Sequence, residues 1–322
     1  MKNHQTIIIG SGPAGVSAAM ALLARGRTVV MVDGGKVLED GAARRREGMA
    51  TDDPGGWTAQ DRDGWMAPQF ATPPGQVRRY GSDFAMEPGA ETMADLPGWF
   101  ALRASRAAGG LSNLWGSAVL PYAGRDMAGW PVTAADLAPH YRAVAGFLPV
   151  AGVPDALAPL LPEPPMAGRM GIEPSPQACE LLSRMARRGD ALARMGVTAG
   201  QARQAVDSGC RLCGLCLHGC PYGLIWKAGD TLANLRQHPG FSYRPGAVVT
   251  RIDEGDGAVI LHLEGGGTIR GARAYLGAGV LETARILLAS QPGLGELTLR
   301  DSQHAFLPML HRWANRTRPD RG

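Results

Sequence analysis

Thr6-Ile7-Ile8-Ile9-Gly10-Ser11-Gly12-Pro13-Ala14-Gly15 is the stretch that decides the fold. Its first four residues are a β-branched run bounded by glycine, which reads as a short buried strand. The glycines then fall in a Gly-x-Gly-x-x-Gly pattern. Val16 to Arg25 reads as an Ala- and Leu-rich helix, with Gly26 as its cap. Thr28 to Val32 reads as a second strand, ending at Asp33. Strand, glycine turn, helix and strand make one βαβ unit, and parallel strands joined by such a crossover predict an α/β fold.

Each glycine has its own physical task. Gly10 permits the tight turn, Gly12 lets backbone approach a pyrophosphate, and Gly15 lets the helix pack closely on the strand. Free N–H groups and the positive dipole end at the helix start favour phosphates. Asp33 stands where an acid hydrogen-bonds a ribose 2′-hydroxyl, and its charge would repel a 2′-phosphate. The pattern predicts a dinucleotide site; a glycine turn used only for packing is the alternative.

A second motif is Cys210-x2-Cys213-x2-Cys216-x3-Cys220-Pro221. Thiolates at that spacing match a ferredoxin-type run that converges on an iron–sulfur cluster. Zinc also takes four thiolates, although its ligand pairs are usually well separated. A purely structural thiol cluster is the third reading. Cys179 reads as a small buried residue.

Two further glycine motifs lie downstream. Gly109-Gly110-Leu111-Ser112-Asn113-Leu114-Trp115-Gly116 pairs glycines, which let backbone lie flat on a ligand, with Ser and Asn donors. Ala278-Gly279-Val280-Leu281-Glu282-Thr283-Ala284-Arg285 puts a glycine at a strand end and opens a helix, again suited to phosphate. Either can also be an ordinary turn.

The rest of the chain reads more coarsely. Helical spacing is expected over 134–147, 180–195, 226–235 and 281–289, and strands over 241–252, 259–263 and 272–276. From Gly34 to Pro97 periodicity is poor, and the segment is expected to be extended cover over a ligand. Residues 152–176 are Pro-rich and read as a loop. The sequence has 322 residues, enough for two domains, with 45% hydrophobic and 19% charged residues, a globular composition. Gly (45) and Pro (24) together are well above average usage, so many turns are expected. Net charge is +4, and all but three of the 33 basic residues are arginine. They are scattered, with Arg44-Arg45-Arg46 as the lone triplet, which argues against nucleic acid. No apolar run spans a membrane and no signal peptide is recognised, so a cytoplasmic chain is expected.

Together the four motifs resemble the glucose–methanol–choline (GMC) oxidoreductases, flavoproteins that oxidise alcohols. The resemblance runs through IIIGSGPAGVSAAMALLARGRTVVMVDGG (7–35), GGLSNLWG (109–116), GWPVTAADLAPHY (129–141) and AGVLETARILLAS (278–290). It implies an α/β, Rossmann-like FAD-binding domain with a discontinuous, incomplete α+β substrate domain. The FAD-binding domain would take 1–125 and 205–290, and a cap or partial substrate domain 126–204 and 291–322. It implies that Gly10, Gly12, Pro13, Ala14 and Gly15 hold the FAD pyrophosphate, and Asp33 and Gly34 the adenosine ribose. Gly109, Gly110, Ser112, Asn113 and Gly116 would lie along the flavin, Val249 would meet adenine, and Gly279 and Thr283 would close the site. Cys210, Cys213, Cys216 and Cys220 would carry a 3Fe-4S or 4Fe-4S cluster.

The family is longer and places its catalytic histidine in a C-terminal segment that has no match here. His304 and His311, in SQHAFLPMLHRW, read as surface or packing residues, so no catalytic residue is assigned. The ending 316–322 reads as a disordered tail. The implied activity is oxidation of a CH–OH group of a sugar or other alcohol, by hydride transfer to flavin with electrons leaving through the cluster to an electron-acceptor protein or subunit. The alternatives are a non-catalytic flavin and iron–sulfur electron-transfer subunit, and a shortened remnant that needs a partner for its catalytic half.

Overall fold

The structure is a computed structural model and describes residues 5–66, 82, 84–85, 104–160 and 171–299. In chain order its regular elements are β1 (Thr6–Ile9), α1 (Pro13–Leu23), β2 (Val29–Val32), α2 (Asp40–Thr51), α3 (Ala59–Met66), α4 (Ala134–Ala145), α5 (Pro176–Arg187), α6 (Gly189–Arg194), α7 (Ala228–Leu235), β3 (Phe241–Arg244), β4 (Val249–Gly255), β5 (Ala258–Leu263), β6 (Thr268–Gly271), β7 (Arg273–Leu276) and α8 (Val280–Ser290). The fold is α/β. Two compact units divide it, one of Met1–Arg45, Asp63–Leu114 and Lys227–Ala305, the other of Arg46–Arg62, Trp115–Trp226 and Phe306–Gly322.

The first unit is Rossmann-like. Its four-stranded parallel sheet has the order β3-β2-β1-β7. Ile7 pairs with Val30 on one side and Ala274 on the other, which sets the register. Every residue of β1 and β2 is buried, as strands of a parallel sheet covered on both faces require. That is why these strands read as unbroken apolar runs rather than alternating ones. In a second, antiparallel sheet, β4-β5-β6, buried positions alternate with half-buried ones along the start of β5 and with exposed ones along β6. Ile7, Ile9, Val30, Val32, Val249, Leu261, Ile269 and Ile286 share one core, so α8 and both sheets close on the same apolar centre.

The second unit carries α4, capped by Thr133, whose Oγ accepts the Asp136 N–H at 3.2 Å while Asp136 returns to the Thr133 N–H at 2.8 Å. Arg203 is fully buried here and pairs with Asp155 at 3.0 Å. Among the described residues no helix is long and apolar enough to cross a membrane.

Several expectations are corrected. The strand expected over 241–252 is two strands in different sheets: Pro245-Gly246, with Gly246 at φ +75°, ends β3 before β4 begins. The helix expected over 180–195 begins earlier, at Pro176, and breaks at Arg188 before Gly189. The cover expected over 34–97 instead contains α2 and α3; its residues 67–81, 83 and 86–97 lie outside the described residues. α2 carries Arg44, Arg45 and Arg46 and α3 carries Asp61, Arg62 and Asp63, so their apolar period is weak in the sequence. The first helix starts at Pro13, three residues before the expected Val16. His304, His311 and the tail 316–322 also lie outside the described residues.

Candidate functional site

The cleft of the first unit is built at the end of its parallel sheet. Its floor is the turn from β1 into α1. Pro13 occupies the first helical turn, where its missing N–H costs nothing, and Gly12 is the cap in extended conformation. No side chain caps this end, and no acidic residue stands in its first turn. The first-turn N–H groups are therefore available to an anion.

The three glycines separate by what a side chain would meet. A Cβ on Gly15 would run into the Gly10 carbonyl oxygen. One on Gly10, whose φ is +94°, would run into the Gly277 carbonyl. Both are therefore glycine because the protein fills the space. A Cβ on Gly12 meets nothing nearer than the Gly109 oxygen at 4.0 Å. Gly12 borders open volume, and that volume is the cleft. The residues thus fit a group whose phosphates lie against the α1 N-terminus.

Pro13, Ala14, Asp33, Gly34, Gly110, Val249 and Gly279 line the same cleft with Gly10 and Gly12. Gly15, Gly109, Ser112, Asn113 and Thr283 are not among its lining residues. The Ser112 Oγ donates to the Gly109 oxygen at 2.6 Å and accepts the Ala228 N–H at 2.9 Å. The Asn113 amide donates to the Ala108 and Gly110 oxygens at 2.9 and 2.8 Å. Both side chains thus hold the shape of the 109–113 turn. Gly116 falls in the second unit. Sequence reasoning missed Ala104 to Ala107, which line the cleft, and Tyr243, which holds Asp33. Neither belongs to a recognisable motif; the repeated Gly277-Ala278-Gly279 was the one available sign that β7 ends on the site.

Asp33 is the charged centre of the cleft. Its carboxylate accepts from the Ser11 hydroxyl, the Ser11 N–H at 3.2 Å and the Tyr243 hydroxyl at 2.6 Å. Burial pushes this carboxyl above its ordinary value, against the opposing pull of those hydrogen bonds. The Tyr243 phenol is pushed up by burial and by the neighbouring carboxylate.

The cysteines form a separate candidate site in the second unit. Cys210, Cys213, Cys216 and Cys220 are free and all line one cavity of about 370 Å³, beside Tyr222 and Ile225. Leu212 at φ +51°, Gly214 and Gly219 turn the chain so that the four side chains surround it. Burial of its sulfur pushes the Cys216 thiol up to about 11, and Cys213, Cys210 and Cys220 add to the shift. Tyr222 is pushed up to about 12 by burial and by Cys213. Cys179 is exposed, contrary to its reading as a buried residue, and lies off the cavity. Among the described residues no three His, Cys, Asp or Glu side chains converge closely enough to hold a single metal ion.

Residues 5–115 match the FAD binding domain family. No curated protein matches the chain. Among solved structures the fold is similar to pyridoxine 4-oxidase from Mesorbium loti, at 15% identity and TM-score 0.48, covering 89% of this chain and 52% of that one. It is similar to an FAD-dependent oxidoreductase from Chaetomium thermophilum, at 17% identity and TM-score 0.46, covering 89% and 47%. A fungal aryl-alcohol oxidase matches at 13% identity and TM-score 0.48, covering 90% and 48%. The chain spans about half the length of these structures.

Proposed function

We propose that the chain is an FAD-dependent oxidoreductase acting on the CH–OH group of an alcohol or sugar. The observation that carries the reading is the open volume in front of Gly12, at the α1 N-terminus, within the segment that matches an FAD binding domain. The N–H groups at the start of α1 would hold the pyrophosphate, Asp33 the adenosine ribose, and Val249 the adenine edge. Gly110, beside Gly12, would let backbone lie close to the cofactor. When bound, FAD supplies the two-electron acceptor that alcohol oxidation needs. The protein's part is to position it, shield it from water and leave one face open.

The four cysteines extend the reading. We assign them to an iron–sulfur cluster that relays electrons singly to an acceptor protein. The donor set supports this: four free thiols around one cavity, at ferredoxin-type spacing. Clustered reduced thiols also suit the cytoplasm.

A second reading is favoured by the cleft's own residues. Asp33, Arg106 and Glu282 are its titratable groups, and no histidine lines it among the described residues. An electron-transfer subunit that takes its catalytic base from elsewhere fits that composition. Anaerobic mixing of the FAD-loaded chain with a panel of primary alcohols and aldoses separates the two. Bleaching of the flavin absorbance supports the dehydrogenase; an unbleached, FAD-loaded chain supports the subunit.

A further inference from the structure

Tyr243 lies outside every motif and on a different strand from the acid it touches. It stands on β3, where its backbone pairs with Met31 of β2, two residues before Asp33. Its hydroxyl meets Asp33 Oδ1 at 2.6 Å. The other oxygen, Oδ2, takes the Ser11 N–H and Ser11 hydroxyl. The Ser11 Oγ in turn accepts the Gly109 N–H at 2.9 Å, which commits its own proton to Asp33. The Gly35 N–H also reaches the carboxylate. One half-buried carboxylate thus ties the glycine turn, the 109–113 turn and β3 together.

We propose that Tyr243 is a positioning residue for the adenosine ribose of FAD, holding the Asp33 carboxylate ionised and oriented in the cleft. The inference rests on the FAD reading of this cleft. Burial favours the neutral acid, which is a poorer acceptor for a ribose hydroxyl. A hydroxyl donor aimed at the carboxylate opposes burial and fixes the plane of the group. Among the described residues no cation is paired with Asp33: Arg106 is held by Glu264 through two contacts of 3.0 and 3.1 Å. Arg236 lies over the Tyr243 ring at 5.8 Å. Arg244 and Lys36 flank the site along the chain, and Glu282 is the other acid of the cleft.

The sign of the pH effect follows. An ionised Asp33 binds the ribose, so FAD affinity falls as pH drops through its folded-state value. Removing a donor to the ionised form raises that value, so affinity is lost at a higher pH. Tyr243→Phe keeps the ring and the Arg236 contact and deletes only the hydroxyl.

The test is FAD binding by the full chain, followed by flavin fluorescence between about pH 4.5 and 8.5, with far-UV circular dichroism at each pH. Wild type, Tyr243→Phe, Asp33→Asn and the double variant are compared. Tyr243→Phe is expected to move the acid midpoint of FAD binding up by about one pH unit. In the Asp33→Asn background the same change has no effect on the pH profile. An unmoved midpoint, or an equal effect in both backgrounds, overturns the inference while leaving the FAD site intact. Absence of FAD binding by the wild-type chain removes the FAD reading and this inference with it.

Discussion

Gly12 and Gly15 are chemically identical and three residues apart, yet substitution separates them. Gly15→Ala forces a Cβ into the Gly10 carbonyl and should cost more than about 3 kcal/mol in urea unfolding, if it folds. Gly12→Ala has room in the protein and a helix-cap conformation that alanine adopts, so its stability should stay within about 1 kcal/mol. Its FAD affinity should drop at least tenfold, read by equilibrium titration. The glycine spacing made these roles legible in the sequence, because backbone geometry alone assigns them. Ser112 and Asn113 were harder: residue type cannot say whether a polar side chain faces a ligand or its own turn, and here both brace the turn. Asp33 adds a pH signature. Burial raises its folded-state value, so between the ordinary carboxylate range and that raised value the folded chain holds a proton the unfolded chain has released. Its stability contribution therefore falls as pH rises through that window. Urea unfolding should show the stability of wild type relative to Asp33→Asn declining as pH rises above the ordinary carboxylate range. A difference independent of pH would contradict the buried carboxylate.

At the scale of elements, α8 is hydrogen-bonded to the antiparallel sheet through the Ser290 side chain. The Ser290 Oγ accepts the Ile252 N–H at 2.8 Å and donates to the Ile286 oxygen. The β4–β5 register is irregular between Val249 and Arg251, immediately before this contact, so the Ile252 N–H turns to a side chain. Ser290→Ala leaves that N–H without its partner and should cost about 1–3 kcal/mol in urea unfolding. Cost near zero would mean that water replaces the hydroxyl. The order of β1, α1 and β2 was readable because buried parallel strands announce themselves as apolar runs. The break inside 241–252 was not, since both halves have strand-forming residues and only Pro245-Gly246 marks the change of sheet. α2 and α3 escaped because their charged and small residues give little apolar periodicity.

Across the whole molecule, the cysteine run lies in the second compact unit. The relay reading makes a prediction at this scale: anaerobically purified wild type should contain several irons per chain, and Cys216→Ser should lose most of them while keeping FAD. Retention of iron in that variant would take Cys216 out of the ligand set. The central claim remains that this α/β cleft holds FAD, and the most direct measurement is the visible absorbance spectrum of the wild-type chain after loading with FAD and removal of excess. The account predicts flavin absorbance retained at about one FAD per chain, and its loss in Gly12→Ala. A wild-type chain that emerges colourless but folded would contradict it.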